Sequence, residues 1–361
     1  MILAGYTAKD EYLGPKVSGL ITDFFDATAW IWEYTQPQMW NELKGIVKAV
    51  DHYNFTMAHA IYMNSCYEIV AWCSSIVSKQ EDGTIIHTRN LDYGFEDIMR
   101  NISYIGTFVK DGKVLFKTVM FGGLPGVFTG MRPGAFSMSI DTRRFNRNPL
   151  GIFENMFMLF AGYEQAGTLF RNTLTDCADF DCAYNYLKNK PISGFVYYIL
   201  AGTKDDEGVV IARKRFGEAH EDRLDTANGK WFLVQTNSDE WKQPGHQKGC
   251  TDRCAAAETR MLALGRANLN LTSQEQKVHL TFPVLNVHTL FNTQFIPAQS
   301  YMVTTPMDYN PTAEDLAGPY KDDQPPDIRE VLQPIYEWYS MFRPLVDGLL
   351  FASKMMQMNP Y

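Results

Sequence analysis

Residues 73–93 of the chain have the sequence CSSIVSKQEDGTIIHTRNLDY. Two strand-like segments are separated by an acidic turn that contains glycine, and this pattern predicts a β-hairpin. The hairpin brings Arg89 and Asp92 back beside Cys73, so a cation and a carboxylate are expected next to a thiol. A nearby guanidinium favours the thiolate, which is the nucleophilic form of cysteine. A non-catalytic alternative explains the same residues: Cys73 would be a buried structural cysteine, and Arg89 and Asp92 would form an ion pair at the surface.

Helical segments lie on both sides of this hairpin. Residues 17–72, 151–190 and 252–264 have apolar spacing or composition typical of helices. The strand-like runs between them are 104–109, 113–120, 135–140, 195–202, 208–213 and 231–235. This order fits antiparallel sheets covered by helices better than alternating βαβ units, so the predicted fold class is α+β.

Three segments are expected along the chain. Residues 1–72 form a helical segment, and residues 73–307 form the β-rich segment that carries the hairpin. Residues 308–361 begin with a stretch rich in proline and acidic residues, which is typical of a linker. Apolar residues recur close to helical spacing in the remaining tail, 328–361, which predicts a helix that docks on the body or contacts a membrane.

The composition excludes several classes of protein. The 361 residues include 33 Lys and Arg against 41 Asp and Glu, giving a net charge of −8. Without a basic block, no nucleic-acid partner is expected. The two longest apolar stretches, 17–34 and 338–358, are interrupted by charged residues, so no transmembrane helix is expected. The 14% aromatic content and 17 methionines suggest a large core or an apolar surface for a lipid.

The cysteines and histidines do not predict a metal site. The six cysteines are Cys66, Cys73, Cys177, Cys182, Cys250 and Cys254. The last two form either a local disulfide or half of a metal site, but no second pair at zinc spacing accompanies them. The glycine-rich stretch 122–126 is not followed by Gly-Lys-Ser/Thr and is not a phosphate-binding loop. No metal and no other cofactor is therefore expected.

The hairpin resembles one known family. Cys73-Ser-Ser-Ile-Val, followed sixteen residues later by Arg89 and nineteen residues later by Asp92, is similar to the pattern of the acid ceramidase and N-acylethanolamine acid amidase family. That pattern is C-T-S-I-V, then H-G-R-N-[LM]-D-[YF]. Further stretches match in the same order between about residue 42 and residue 302, namely 122–133, 197–202, 207–211, 229–237, 252–253 and 283–286.

The resemblance implies a fold and a maturation step. Members are N-terminal-nucleophile hydrolases with a four-layer αββα sandwich, made as precursors that cut themselves before the nucleophile. Cleavage between Trp72 and Cys73 would leave segments of 72 and 289 residues that stay together as a heterodimer. The new α-amino group of Cys73 then accepts the thiol proton.

The same resemblance implies roles for the polar residues. Arg89 and Asp92 position the amine and thiol of Cys73, Asn237 donates to the oxyanion, and Arg253 completes the charged floor of the site. The chain departs from the family pattern near Asn237, because Ser238 replaces a tyrosine, Thr251 replaces an aspartate and a few extra residues precede Arg253.

The implied substrate is a lipid amide, and two enzymes of the family compete. One hydrolyses N-acylethanolamines and the other is acid ceramidase, which cuts N-acylsphingosine. Acid ceramidases carry a cysteine pair near the C-terminus, but no cysteine follows Cys254. Residues 196–199, 207–211 and 228–232 are also closer to the amidase, whereas residues 234–236 are closer to ceramidase. The prediction is therefore the amidase.

Two further alternatives remain open. A lipid-binding protein of the same fold would keep the residues without turnover. A relative that acts on small polar amides, such as a bile-salt or penicillin acylase, is disfavoured by the aromatic and Met-rich helices of residues 17–72, which are suited to a lipid or membrane surface.

The resemblance also predicts a location. Family members are lysosomal, and the sequons at Asn54, Asn101 and Asn270 agree with a glycoprotein of the lysosome or secretory pathway. The start of the chain lacks the basic and apolar regions of a signal peptide.

Overall fold

The computed structural model describes residues 23, 25–51, 55–65, 71–94, 96–143, 155, 157–239, 241 and 252–319. Its helices are α1 (Pro37–Ala49), α2 (Met57–Ser65), α3 (Glu96–Ile102), α4 (Ala166–Asp176), α5 (Phe180–Asn189), α6 (Asp252–Leu264), α7 (Leu271–Gln274) and α8 (Ala313–Ala317). Residues 25–35 are helical as well. The strands are β1 (Ala71–Lys79), β2 (Ile85–Tyr93), β3 (Ser103–Lys110), β4 (Lys113–Phe121), β5 (Thr129–Arg132), β6 (Phe136–Thr142), β7 (Val196–Ala201), β8 (Gly208–Arg213), β9 (Glu218–Arg223), β10 (Phe232–Gln235), β11 (Thr289–Ile296) and β12 (Tyr301–Pro306).

These strands form two antiparallel sheets. The first has the order β10-β1-β2-β11-β12, and the second has the order β3-β4-β5-β6-β7-β8-β9. The predicted hairpin is β1–β2, in which Cys73 pairs with Leu91 and Ser75 pairs with Arg89. Both strands have neighbours on each side within the first sheet, so Cys73 lies on an interior strand rather than at a sheet edge.

The two faces of β1 contact different layers, because side chains alternate across a strand. Val77 packs between the two sheets with Tyr197, whereas Ile76 faces the other way and packs against Met261 of α6. On the far side of the second sheet, α4 packs on β4, β5 and β6. The layer order is helix, sheet, sheet, helix, and the predicted α+β sandwich of αββα type is confirmed.

The N-terminal helices form a core of their own. Phe25, Trp32, Leu43 and Ile61 are buried together, and Leu159 joins them from the β-rich segment. Polar contacts also cross between the segments, since Gln36 Nε2 donates to the Tyr163 carbonyl oxygen at 2.9 Å. The described part of the N-terminal segment is helical over residues 25–35, 37–49 and 57–65, whereas residues 71 and 72, also predicted to be helical, belong to β1.

Several elements differ from the sequence predictions. Strand β1 begins at Ala71, because residues 71 and 72 continue the ladder with β2. Strands β5, β9, β11 and β12 were not predicted: β5 has four residues, and β9 (EAHEDR) is polar apart from Ala219 and half-buried along its whole length. Strands β11 and β12 complete the first sheet, whereas no strand was predicted after residue 235. A disulfide joins Cys177 to Cys182 between α4 and α5, which the cysteine spacing had not predicted.

Some predictions fall outside the described residues. They include the sequon at Asn54, the pairing of Cys250, and the tail from residue 320 onward. The other two sequon asparagines, Asn101 and Asn270, are exposed. Within the described ranges, every helix is too short or too polar to cross a lipid bilayer.

Gly208 allows the two sheets to approach each other, and its replacement is expected to destabilise the fold. A Cβ at this position would lie 2.5 Å from Leu224 Cδ1 and 3.0 Å from Val77 Cγ1. We therefore expect Gly208→Ala to lower the free energy of unfolding by about 1–3 kcal/mol, measured by urea denaturation. The matched control is Gly45→Ala on α1, where a Cβ meets no atom within 4 Å. It should stabilise by about 0.5–1 kcal/mol, and equal effects of the two substitutions would contradict the packing argument.

Candidate active site

Cys73 is completely buried, and each of its polar groups contacts a different residue. Its backbone N–H donates to Asn237 Oδ1 at 3.0 Å. Its carbonyl oxygen accepts from Arg253 Nη1 at 3.2 Å. Its Sγ accepts from Arg89 Nη2 at 3.3 Å. Three of the four polar residues predicted around the thiol therefore contact Cys73 directly.

The guanidinium of Arg89 is fixed in the space between the sheets. Arg89 is completely buried, and its Nε donates to Thr129 Oγ1 at 2.9 Å. The same Nη2 that contacts Cys73 Sγ also donates to the Ile140 carbonyl oxygen at 3.1 Å. A positive charge held this close to a thiol favours the thiolate, which is the form that attacks a carbonyl carbon.

Asp92 lies on the opposite face of β2 from Arg89, because the two residues are three positions apart in a strand. Its Oδ2 forms an ion pair with Arg253 Nη1 at 2.9 Å and accepts from Asn286 Nδ2 at 2.9 Å. Its Oδ1 accepts from Thr289 Oγ1 at 2.7 Å. Burial raises the pKa of Asp92, while Arg253, Asn286 and Thr289 act in the opposite direction. The carboxylate therefore supports the site from behind the strand.

Arg253 connects the other predicted residues. It is the second residue of α6 and is completely buried. Its Nη2 donates to Asn237 Oδ1 at 2.8 Å, in addition to the Nη1 contacts with Asp92 and Cys73. Its guanidinium also lies 5.2 Å from the centre of the Trp72 ring. Trp72 is the residue before the expected cleavage point.

The side-chain amide of Asn237 has one orientation that satisfies all of its contacts. Oδ1 accepts from two donors, the Cys73 N–H and Arg253 Nη2, and Nδ2 donates to the Thr142 carbonyl oxygen at 2.8 Å. An amide nitrogen carries two hydrogens, and this contact uses one of them. The second is available to a developing oxyanion.

An ion pair between Arg143, which is buried, and Asp239, which is half-buried, holds the loop that carries Asn237. Arg143 donates through Nε and Nη2 to the two carboxylate oxygens of Asp239, at 2.6 and 2.8 Å. Tyr197 adds a hydroxyl contact to the same carboxylate at 2.7 Å. Because Arg143 follows Thr142, this pair ties the two chain segments that position the Asn237 amide.

Several residues of the site were not predicted from the sequence. Asn286 lies in a stretch that matched the family pattern, but no role was predicted for it. Thr289 belongs to an unpredicted strand. Asp141 follows two serines at alternate positions of β6, and this period-two polar pattern could have indicated a polar face. Within the described residues, no cluster of His, Cys, Asp and Glu side chains could hold a metal ion.

A buried cysteine on a central strand of an αββα sandwich, with an arginine at its sulfur and an asparagine at its nitrogen, is the arrangement expected of an N-terminal-nucleophile hydrolase. Comparisons with known proteins agree with this class, although no protein-family model matches the chain. A solved structure of an N-acylethanolamine-hydrolyzing acid amidase ortholog from Caenorhabditis elegans matches with a TM-score of 0.57 and 33% identity, over 63% of this chain and 93% of that chain.

Curated relatives identify the family. The N-acylethanolamine-hydrolyzing acid amidase of Rattus norvegicus is 37% identical over 260 residues, which is 72% of this chain and 69% of the relative. Acid ceramidase of Mus musculus is 32% identical over 269 residues, 70% of this chain and 66% of the relative. The chain belongs to the family of N-acylethanolamine acid amidases and acid ceramidases, and the resemblance found in the sequence is confirmed.

Proposed function

We propose that this protein is a lipid amide hydrolase that converts N-acylethanolamines to fatty acid and ethanolamine through a thioester on Cys73. The observation that carries the proposal is the set of contacts around this cysteine, in which Arg89 faces the sulfur and Asn237 faces the nitrogen. The amide substrate is proposed because the relatives are named for hydrolysis of N-acylethanolamines or as ceramidases.

Self-cleavage before Cys73 supplies the base in this proposal. In the intact chain the Cys73 nitrogen is an amide and cannot accept a proton. After cleavage it is an α-amino group, whose reference pKa is about 7.7–8.0. Asn237 Oδ1, which accepts from this nitrogen at 3.0 Å, would hold the amine beside the thiol.

The proposed reaction has two stages. The Cys73 thiolate attacks the amide carbonyl carbon, and the oxyanion that forms accepts from the second N–H of Asn237 Nδ2. The ammonium group of Cys73 gives its proton to the departing amine, which leaves an acyl thioester. Water, activated by the same amine, then attacks the thioester and releases the fatty acid.

The two segments are proposed to remain together as a heterodimer after cleavage. Several contacts join them in the intact chain, including an ion pair between Glu42 and Arg171 at 2.6 Å. Asn64 Nδ2 also donates to the Gly123 carbonyl oxygen at 3.2 Å. The buried apolar side chains around Leu159 add to these polar contacts.

Acid ceramidase activity is the second candidate. It is favoured by the 32% identity to the mouse ceramidase and by residues 234–236. The relative of Caenorhabditis elegans, which is 32% identical over 275 residues, is by name an N-acylethanolamine-hydrolyzing acid amidase, so identity at this level fits either substrate. Residues 196–199, 207–211 and 228–232, which are closer to the amidase, favour the ethanolamide.

A lysosomal or secretory location is proposed with this function. The exposed sequon asparagines Asn101 and Asn270 are suited to glycosylation. Contact with a membrane surface would give the site access to its lipid substrate.

The test is the intact mass of the purified chain before and after incubation at acidic pH, followed by assays with an N-acylethanolamine and a ceramide of the same acyl chain. We expect two fragments, the larger beginning at Cys73, and faster release of fatty acid from the ethanolamide. Faster hydrolysis of the ceramide would support the second candidate. A chain that stays whole and hydrolyses neither lipid would contradict the proposal and favour a lipid-binding protein.

A further inference from the structure

A second polar cluster lies behind Arg89, between the two sheets. Ser75 Oγ is 2.8 Å from Ser139 Oγ, and Ser139 Oγ is 3.0 Å from His87 Nε2. The other nitrogen of the ring, Nδ1, is 3.0 Å from Ser137 Oγ. These side chains are almost completely buried, in a layer where apolar packing would be expected.

Asp141 is the acidic member of this cluster. Its Oδ1 accepts from Ser75 Oγ at 3.0 Å and lies 3.9 Å from Arg89 Nη1. Its Oδ2 is buried and has no hydrogen-bond partner among the described residues. Since Nη2 of the same guanidinium contacts Cys73 Sγ at 3.3 Å, one cation faces both the carboxyl group and the thiol.

We propose that Asp141 is a positioning residue of the active site, acting through Arg89: the charge on Asp141 determines how strongly the guanidinium favours the thiolate of Cys73. The proposal rests on the function proposed above. A neutral Asp141 leaves the positive charge of Arg89 free to act on the sulfur. An ionised Asp141 compensates part of that charge, so the thiolate is less favoured.

The surroundings of Asp141 determine when it ionises. Arg89 and Asp92 from β2 and Arg253 from α6 act on it electrostatically, and Tyr197 of β7 is its cross-strand neighbour. His87 belongs to the same cluster through Ser139, and Cys73 lies on the other side of the Arg89 guanidinium. Burial raises the pKa of Asp141 to about 7, although Arg89, Ser75 and Arg253 act to lower it.

His87 does not compete as the titrating group of the cluster. Burial lowers the pKa of His87 to about 3, so its ring stays neutral from weakly acidic pH upward. Asp141 is then neutral in acid and becomes charged above neutrality. The stabilisation that Arg89 gives to the thiolate is therefore strongest while Asp141 is neutral, and it weakens as the pH rises through about 7.

The test compares wild type with Asp141→Asn, which keeps the shape of the side chain but cannot ionise. The thiolate is followed by its ultraviolet absorbance as the pH rises, with the Cys73→Ala spectrum subtracted. We expect the titration midpoint in Asp141→Asn to fall by about one pH unit. The ratio of kcat/KM between variant and wild type should be near one in acid and rise to about tenfold at about pH 8.

Two further variants make the result specific. Asp97→Asn makes the same change at a side chain that is 97% exposed. Its thiol titration and its pH profile of kcat/KM should superimpose on those of wild type. Ser75→Ala removes a hydrogen bond that lowers the pKa of Asp141, so its profile should move part of the way towards Asp141→Asn.

An unchanged thiol titration in Asp141→Asn would overturn the proposal, as would a loss of activity by the same factor at every pH. The thiol titration requires no substrate. If the protein hydrolyses neither lipid, the proposed function is contradicted. The thiol titration still shows whether Asp141 acts on Cys73.

Discussion

Replacing Cys73 by alanine is expected to reduce kcat/KM for lipid amide hydrolysis by about 10⁴-fold or more, because the variant has no nucleophile. The chain should also stay whole at 41.2 kDa after acidic incubation, since the same thiol is proposed to attack the peptide bond before it. Intact mass and fatty-acid release measure the two effects. Binding of the lipid should persist, since the substitution removes only the sulfur.

The next residue of the same strand provides a matched control. Ser74 is also completely buried, but its hydroxyl points away from the thiol and lies 3.3 Å from His279 Nε2. Ser74→Ala should cleave itself and retain activity within a few-fold of wild type. If Cys73→Ala hydrolysed the lipid, the nucleophile would be another residue. If neither wild type nor the variant hydrolysed the lipid but both bound it, the protein would be a binding protein.

Replacing Arg253 by methionine is expected to have the second largest effect. It leaves Asp92 as a buried carboxylate without its ion-pair partner, and breaking such a pair costs about 3–5 kcal/mol. It also removes the donor at 2.8 Å that helps to fix Asn237 Oδ1, so kcat/KM should fall by about 10²–10³-fold. Stability is best measured by urea denaturation in the Cys73→Ala background, where the chain stays in one piece.

The double variant Arg253→Met with Asp92→Asn separates the two effects. Removing both charges should restore most of the lost stability, because no unpaired buried charge remains, but it should not restore activity. Arg223→Met is the control, since Arg223 pairs with Glu221 at the surface and should contribute less than about 1 kcal/mol. A change below about 1 kcal/mol in the single Arg253 variant would contradict the assigned ion pair.

The local part of the site could be predicted from the sequence. The turn at Gly83 and the apolar segments beside it define the hairpin, and the hairpin alone brings Arg89 towards Cys73. The sequence did not indicate that Asp92 faces the opposite side of the strand and acts through Arg253. That contact joins residues 161 positions apart, and no local pattern determines it.

The unpredicted strands have a physical explanation. Strand β9 carries Glu218, Glu221 and Asp222 and lies at the edge of its sheet, where alternation between apolar and polar side chains is not required. Strand β11 is buried along its whole length, and a buried run of this kind has no period that distinguishes it from helix or loop. Thr289, one of the residues that hold Asp92, therefore comes from a part of the chain where sequence patterns are least informative.

The position of the Trp72–Cys73 bond inside β1 has a consequence for access to the site. Residues 71 and 72 are hydrogen-bonded into the ladder with residues 92 and 93, and the thiol beyond them is completely sealed. A cut at this bond would leave a two-residue stub still paired with β2. Removing these two residues from the ladder would cost roughly 1 kcal/mol per hydrogen bond released. The new end of the first segment would therefore stay beside the Cys73 nitrogen, held by its pairing with β2 and by the contact between the Trp72 ring and Arg253.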